Sequence, residues 1–438
     1  MRTTVIPPRR LEFEVTPPGD KSIAHRSLIL NAAAVGPATV TNFPRGGDTL
    51  ATLACIRALG LRVTDRREPD EFTATLTFEP HGIGGLNEPE RVLDVRNSGT
   101  TMRFLLGLLA GAPMTAVLTG DRSLRGRPMG RVAEPLAQMG AEIFGRAGGT
   151  LAPLTVRGGN LHGFEYTMPV ASAQVKSALL LAGLSARGPT ILEEPSPSRD
   201  HTERMLRAMG VSVNGEGGRV RLDPGAPPKA IDVRVPADIS GAAPWLVAGA
   251  IHPNARITVR RVGVNPTRTG IIDILLEMGA RLDVGETEEG PDEPIADITV
   301  ESSDLKAVEI GGSIIPRLID ELPLLALAAT QAAGTTVIRD AQELRVKESD
   351  RIAATVGQLS RLGARLEERP DGMLVFGRQQ LQGATVRSGG DHRLALTLGV
   401  AGVLARGTTH IDGAEAVDVS YPGFWKALEQ AGGAIRPT

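Results

Sequence analysis

A repeat restricts the fold of this chain more than any other feature. A helix-like segment ending in Leu, Met or Ala, then a glycine, then a strand-like segment occurs six times along 438 residues. The copies are I-R-A-L-G-L-R-V (Gly60), L-A-Q-M-G-A-E-I (Gly140), L-R-A-M-G-V-S-V (Gly210), L-L-E-M-G-A-R-L (Gly279), L-S-R-L-G-A-R-L (Gly363) and L-E-Q-A-G-G-A-I (Gly432). In each, the glycine stands where a helix closes in left-handed backbone, and the alternation after it predicts a strand. A second pattern interleaves with the first: a polar loop, an Ala/Leu-rich helix, a tight turn and a strand. Its copies span Gly19–Val40, Asn97–Leu118, Ser172–Leu192, Asp238–Val259, Asp320–Ile338 and Asp391–Ile411. The helices of the second pattern are apolar almost all round, as in L-P-L-L-A-L-A-A, and should be buried. The expectation is an α/β (α+β) protein of six units, and domain sizes favour two globules of three units over one solenoid. The Pro/Gly-rich run Asp223–Pro236 is the natural join.

Composition removes several function classes. The formal net charge is −2 and aromatic residues make up 3% of the chain, which favours neither nucleic acid nor an anionic membrane as partner. The one cysteine, Cys55, rules out an intramolecular disulfide and any multi-cysteine metal site, and its apolar helical setting reads as packing. His25, His201 and His392 have no metal-ligand spacing, so no metal and no cofactor is expected. The N-terminal segment M-R-T-T-V-I-P-P-R-R lacks a hydrophobic signal core, and no run reaches the ~18 apolar residues of a membrane span. A soluble, cytoplasmic protein is expected. Only six of the 48 basic side chains are lysines, at 21, 176, 229, 306, 347 and 426. Each lysine therefore raises the question of why arginine would not serve there.

The charged residues collect at the starts of the buried helices, where the helix dipole disfavours cations unless an anion is bound. P-G-D-K-S-I-A-H-R holds Lys21, Ser22 and Arg26; N-S-G-T-T-M-R holds Gly99, where backbone can approach a ligand closely, and Arg103. D-R-S-L-R-G-R-P-M-G-R carries arginines 122, 125, 127 and 131, and A-S-A-Q-V-K brings Ser172, Ala173, Gln174 and Lys176. Arg199 precedes D-x-x-E, which has the form of a capping box from Asp200 to Glu203. Farther on, L-I-D-E-L-P contains Asp320, R-V-K-E-S-D-R contains Lys347, Glu348 and Arg351, and G-G-D-H-R contains His392 and Arg393. One such start could be a solvated face or a salt bridge to its own Asp350 or Asp391. Recurrence at several helix starts points to an assembled anion site. Asp320 and Glu348 among the cations could cap helices, form salt bridges or transfer protons.

The motifs G-D-K-S-x-x-H-R, N-S-G-T-T-M-R, R-P-M-G-R, S-A-Q-V-K-S, N-P-T-R-T-G, I-D-E-L-P, R-V-K-E-S-D-R and D-H-R-L-A, spread from Gly19 to about Pro422, resemble those of the 5-enolpyruvylshikimate-3-phosphate synthase family of enolpyruvyl transferases. The resemblance implies two domains of three βαβαββ-type units each, with residues 1–18 joined to 236–438, residues 19–235 forming the other domain, and hinges near 18 and 236. It implies transfer of the enolpyruvyl group of phosphoenolpyruvate to the 5-hydroxyl of shikimate 3-phosphate by a monomer, with no partner beyond these small molecules. By the same resemblance Lys21, Ser22, Arg26, Ser172, Ala173, Gln174, Arg199, Asp320 and Lys347 hold shikimate 3-phosphate. Lys21, Gly99, Arg127, Gln174, Arg351 and Arg393 match the phosphoenolpyruvate site. Asp320 corresponds to the proton acceptor, Glu348 to the carboxylate active at the enol methylene, and Lys21 to a catalytic cation. Two departures bear on the inhibitor glyphosate: Ser420 stands where part of the family has a lysine, and Gly99 where alanine often accompanies tolerance.

The related transferase acting on UDP-N-acetylglucosamine typically carries a reactive cysteine in the arginine-rich loop, and Asp121–Arg131 contains none. A non-catalytic anion-binding repeat protein would have no use for the two acids.

Overall fold

The computed structural model describes residues 1–69, 72–288 and 293–437. Its strands form six four-stranded sheets of one design. In the first, Val233–Arg234 runs parallel to Ala38–Pro44, which pairs antiparallel with Thr73–Phe78, which pairs antiparallel with Val63–Arg67. The other five repeat that parallel, antiparallel, antiparallel order. The parallel pair needs a crossover, which the buried helices provide in most of the units.

Those helices are α1 (Lys21–Ala32), α2 (Gly99–Ala110), α3 (Ala173–Gly183), α4 (Ile239–Ile251), α5 (Leu322–Gln331) and α6 (His392–Gly402). Nearly every side chain on them is buried. The amphipathic helices of the other pattern end at Gly60, Gly140, Gly210, Gly279, Gly363 and Gly432, all with φ between 84° and 109°. Only glycine adopts that backbone without a Cβ penalty, which is why the repeat is legible as a repeat.

The chain divides into two compact units, one of residues 1–20, 236–289 and 294–438, the other of 21–235 and 290–293. Each has its own apolar core and three of the six sheets. The N-terminal strands lie in the first unit: Leu11–Val15 pairs with Ala255–Gly263, and Arg2–Ile6 sits between Thr409–Asp412 and Ala434–Pro437. The run Asp223–Pro236 is no loose linker. Its Val233–Arg234 is a sheet edge, and the chain passes between units just after it.

Candidate active site

In the unit of residues 21–235 the starts of three buried helices supply polar groups. Lys21 opens α1, and its Nζ lies 3.0 Å from Asp48 Oδ2. Ser98 caps α2 by accepting from the Thr101 amide, which places Gly99 at the first turn. Arg103 donates to Gln174 Oε1 at 2.7 Å, and Gln174 Nε2 donates to Thr100 Oγ1 at 2.8 Å. Gln174 is thus oriented by α2, although it belongs to α3. Arg127 Nη2 donates to Asn97 Oδ1 at 2.6 Å, and Asn97 is itself tied to Asp121. Ser172 caps α3 through the Val175 amide, with Ala173 at the first helical position.

Arg26 sits deeper. It is 3% exposed, lies over the Phe104 ring at 4.8 Å, and donates to Thr202 Oγ1 (2.8 Å), Ser177 Oγ (2.9 Å) and the Ser22 carbonyl (3.0 Å). Arg199 is half-buried on the loop before the helix His201–Ala208. The capping box expected there does not form. Asp200 makes no side-chain cap and pairs with Arg204 at 2.8 Å, while Glu203 turns inward to Lys176 at 2.7 Å. A buried ammonium outcompetes a peripheral N–H for that carboxylate.

In the other unit one guanidinium gathers the acids. Arg351, 2% exposed, donates through Nε to Asp391 Oδ2 (2.9 Å), through Nη2 to Glu348 Oε2 (2.5 Å) and through Nη1 to Asp320 Oδ1 (3.3 Å). Burial works against its charge, but Glu348, Asp391 and Asp320 outweigh it and hold its pKa above the ordinary arginine value. Lys347 Nζ lies 3.5 Å from the same Asp320 oxygen. Asp320 therefore stands between two cations, on a short 3₁₀ turn leading into α5. Arg393, in the first turn of α6, donates to the Ser240 carbonyl at 3.3 Å. His392 Nδ1 and Ser420 Oγ are 2.6 Å apart, so the serine found in place of a lysine has a definite partner.

Arg351 is neither solvated nor bonded to its own Asp350. Asp350 caps the helix Arg351–Arg361 through the Ala353 amide and pairs with Arg345 at 2.7 Å. Asp391 serves two purposes, with Oδ1 capping α6 and Oδ2 holding Arg351. Behind these groups lies a buried cluster that charge pattern alone did not reveal. Arg268, of N-P-T-R-T-G, donates to Ser240 Oγ at 2.7 Å and faces Asp238 at 3.6 Å and Glu321 at 3.7 Å. Ser240 also hydrogen-bonds Glu321. Burial and then the like charge of Asp20 push the Asp238 carboxyl up to about 6. Asp48, the partner of Lys21, lies outside the charged helix starts of the sequence motifs; its one sequence signal is an acid in the first turn after R-G-G, at the head of the helix Gly47–Ala58. Cys55 is buried, and burial followed by Asp94 pushes its thiol up to about 12, so it is no nucleophile at neutral pH.

Each unit thus presents cations on helix starts, and one adds two carboxylates on a shared guanidinium. Such groups can bind phosphate and carboxylate and can move protons. A family model described as EPSP synthase (3-phosphoshikimate 1-carboxyvinyltransferase) matches residues 5–428. Proteins named 3-phosphoshikimate 1-carboxyvinyltransferase from Bacillus cereus (strain ATCC 10987 / NRS 248) and Bacillus thuringiensis subsp. konkukian (strain 97-27) are 53% and 54% identical over 420 residues, 96% of either chain. Two solved structures of EPSP synthase from Acinetobacter baumannii superpose over 100% of both chains. Their TM-scores are 0.88 and 0.89, at 40% and 39% identity.

Proposed function

The chain belongs to the EPSP synthase (3-phosphoshikimate 1-carboxyvinyltransferase) family, and on that premise we propose how its residues divide the work of the reaction. The enzyme is a transferase of the shikimate pathway of aromatic amino-acid biosynthesis, moving the enolpyruvyl group of phosphoenolpyruvate to shikimate 3-phosphate. Lys21, Ser22, Arg26, Ser172, Ala173, Gln174 and Arg199, with Asp320 and Lys347, bind shikimate 3-phosphate. Lys21, Gly99, Arg127, Gln174, Arg351 and Arg393 bind phosphoenolpyruvate. The two substrates bring phosphates and carboxylates together, so their binding requires an excess of cations and free helix N–H groups.

Chemistry then needs two proton transfers in each of its two steps, addition and elimination. The 5-hydroxyl adds to C2 of phosphoenolpyruvate while its proton passes to Asp320 and C3 gains a proton, turning the methylene into a methyl. In the second step that methyl loses a proton, the C2–O bond to phosphate breaks as the phosphate takes up the proton held by Asp320, and the enolpyruvyl ether remains. Glu348 serves C3, and Lys21 stabilises the charge that develops on the departing phosphate. The observation that carries this reading is the attachment of both Asp320 and Glu348 to one buried guanidinium, that of Arg351. Fixed by one rigid group, the two acids keep a constant separation while protons move.

The protein is proposed to act as a monomer in the cytoplasm, where phosphorylated substrates of this size are held. Sedimentation velocity tests the first point. Phosphate release tests the reaction: it should appear with shikimate 3-phosphate plus phosphoenolpyruvate and be absent when UDP-N-acetylglucosamine replaces shikimate 3-phosphate. Release with the nucleotide sugar alone would overturn the acceptor assignment.

A further inference from the structure

Lys176 answers the question its residue type raised. It is 2% exposed, too deep to touch a substrate, yet its Nζ collects three acceptors: Glu203 Oε1 at 2.7 Å, Glu194 Oε2 at 2.8 Å and the Ser198 carbonyl at 3.3 Å. Three acceptors converging on one nitrogen suit an ammonium, whose donors splay as a tripod; a planar guanidinium cannot aim three N–H groups from one atom. Both carboxylates are as buried as the lysine, and their other oxygens, Glu194 Oε1 and Glu203 Oε2, have no hydrogen-bond partner among the described residues. Burial opposes the charge on Lys176, but Glu203 and Glu194 raise its pKa, so it stays protonated.

The bonds join two pieces of backbone that carry binding groups. Lys176 lies one turn beyond Ser172–Gln174 on α3, and Glu194, Ser198 and Glu203 bracket the loop bearing Arg199. Beside it, Ser177 Oγ and Thr202 Oγ1 are 2.7 Å apart and both accept from Arg26. The seam therefore has a neutral stitch and a charged one, and the charged one reaches the Arg199 loop directly.

We propose that Lys176 is a positioning residue for shikimate 3-phosphate: its tripod sets the spacing between the start of α3 and the Arg199 loop. This rests on the assignment of Ser172, Gln174 and Arg199 to that substrate. Lys176→Arg keeps the charge but loses the tripod, and Lys176→Gln loses both. In each variant KM for shikimate 3-phosphate should rise on the order of tenfold, with KM for phosphoenolpyruvate and kcat within about threefold of the parent, because the lost contact is remote from the reacting atoms. Arg199→Ala, assayed alongside, should raise KM for shikimate 3-phosphate as well. If Arg199→Ala does so and folded Lys176 variants keep the parent KM, the tripod does not position the loop. Equal rises in both KM values, or loss of fold in both variants, would reduce Lys176 to a structural residue and overturn the proposal. An unchanged KM in Arg199→Ala would instead overturn the substrate assignment on which it stands.

Discussion

Arg351 Nε and Asp391 Oδ2 lie 2.9 Å apart with both side chains buried, tying together the starts of two helices forty residues apart in sequence. The pair holds the guanidinium that Asp320 and Glu348 share, so its loss should be felt in stability as well as activity. Asp391→Ala leaves Arg351 without its innermost partner and α6 without its cap. A buried pair broken on one side costs about 3–5 kcal/mol. Asp350→Ala, which removes a cap and a more exposed pair, should cost about 1 kcal/mol. Urea denaturation of the two variants reads the contrast directly, and equal midpoints would contradict it.

Asp238 makes stability depend on pH. Its folded value of about 6 is raised by burial and by Asp20. Below about pH 4, the ordinary carboxylate value, it is protonated in both states and the stabilisation is fully present. As pH rises toward 6 the unfolded chain ionises first and that stability is lost, to a total of about 3 kcal/mol. Asp238→Asn can still accept the Ser240 amide that Asp238 Oδ1 holds at 2.8 Å. The variant should therefore gain on the parent between about pH 4 and 6 and keep its advantage above that range. Denaturation midpoints at several pH values test this; a difference that does not vary with pH would contradict it.

Gly99 bears on the inhibitor. A Cβ there would lie 2.8 Å from Arg103 Nη1 and 3.4 Å from Arg127 Nη1. Both atoms end flexible side chains, but Arg103 is held by Gln174 and Arg127 by Asn97. Gly99→Ala should displace the Arg103 guanidinium and set a methyl against that of Arg127, at the proposed phosphoenolpyruvate site. Glyphosate mimics the charges of phosphoenolpyruvate in a longer molecule and should suffer more. Overpacking of about 1–3 kcal/mol corresponds to a Ki higher by roughly 5- to 150-fold, with a smaller rise in KM for phosphoenolpyruvate. Equal Ki values in parent and variant would show that this turn does not govern inhibition.

The fold was legible where local backbone and local periodicity decide it. Gly60 and its five counterparts mark helix ends because their φ angles tolerate no side chain cheaply, and the all-apolar helices could only be interior. Ionic partnerships were legible only in part, because partners are chosen by packing across long sequence gaps. Asp200 and Glu203 looked like a local capping box, yet Glu203 is needed by Lys176. Asp48, 27 residues from Lys21, has no periodic relation to it. Arg268 and Glu321 stand in separate motifs, and neither motif announces that they face each other in the interior.

On the proposed division of work, Asp320 and Glu348 move the protons of addition and elimination. Asp320→Asn and Glu348→Gln keep shape and lose that capacity, so kcat should fall by ~10²-fold or more in each. The most direct measurement is deuterium uptake at C3 of the enolpyruvyl group, followed by NMR while shikimate 3-phosphate and phosphoenolpyruvate react in D2O. Addition delivers a solvent deuteron to that carbon, and elimination or reversal leaves part of it behind. The parent should place deuterium in the methylene as it turns over, and both variants should exchange slower by ~10²-fold or more. Exchange at the parent rate in both variants would contradict the assignment of proton transfer to these two acids.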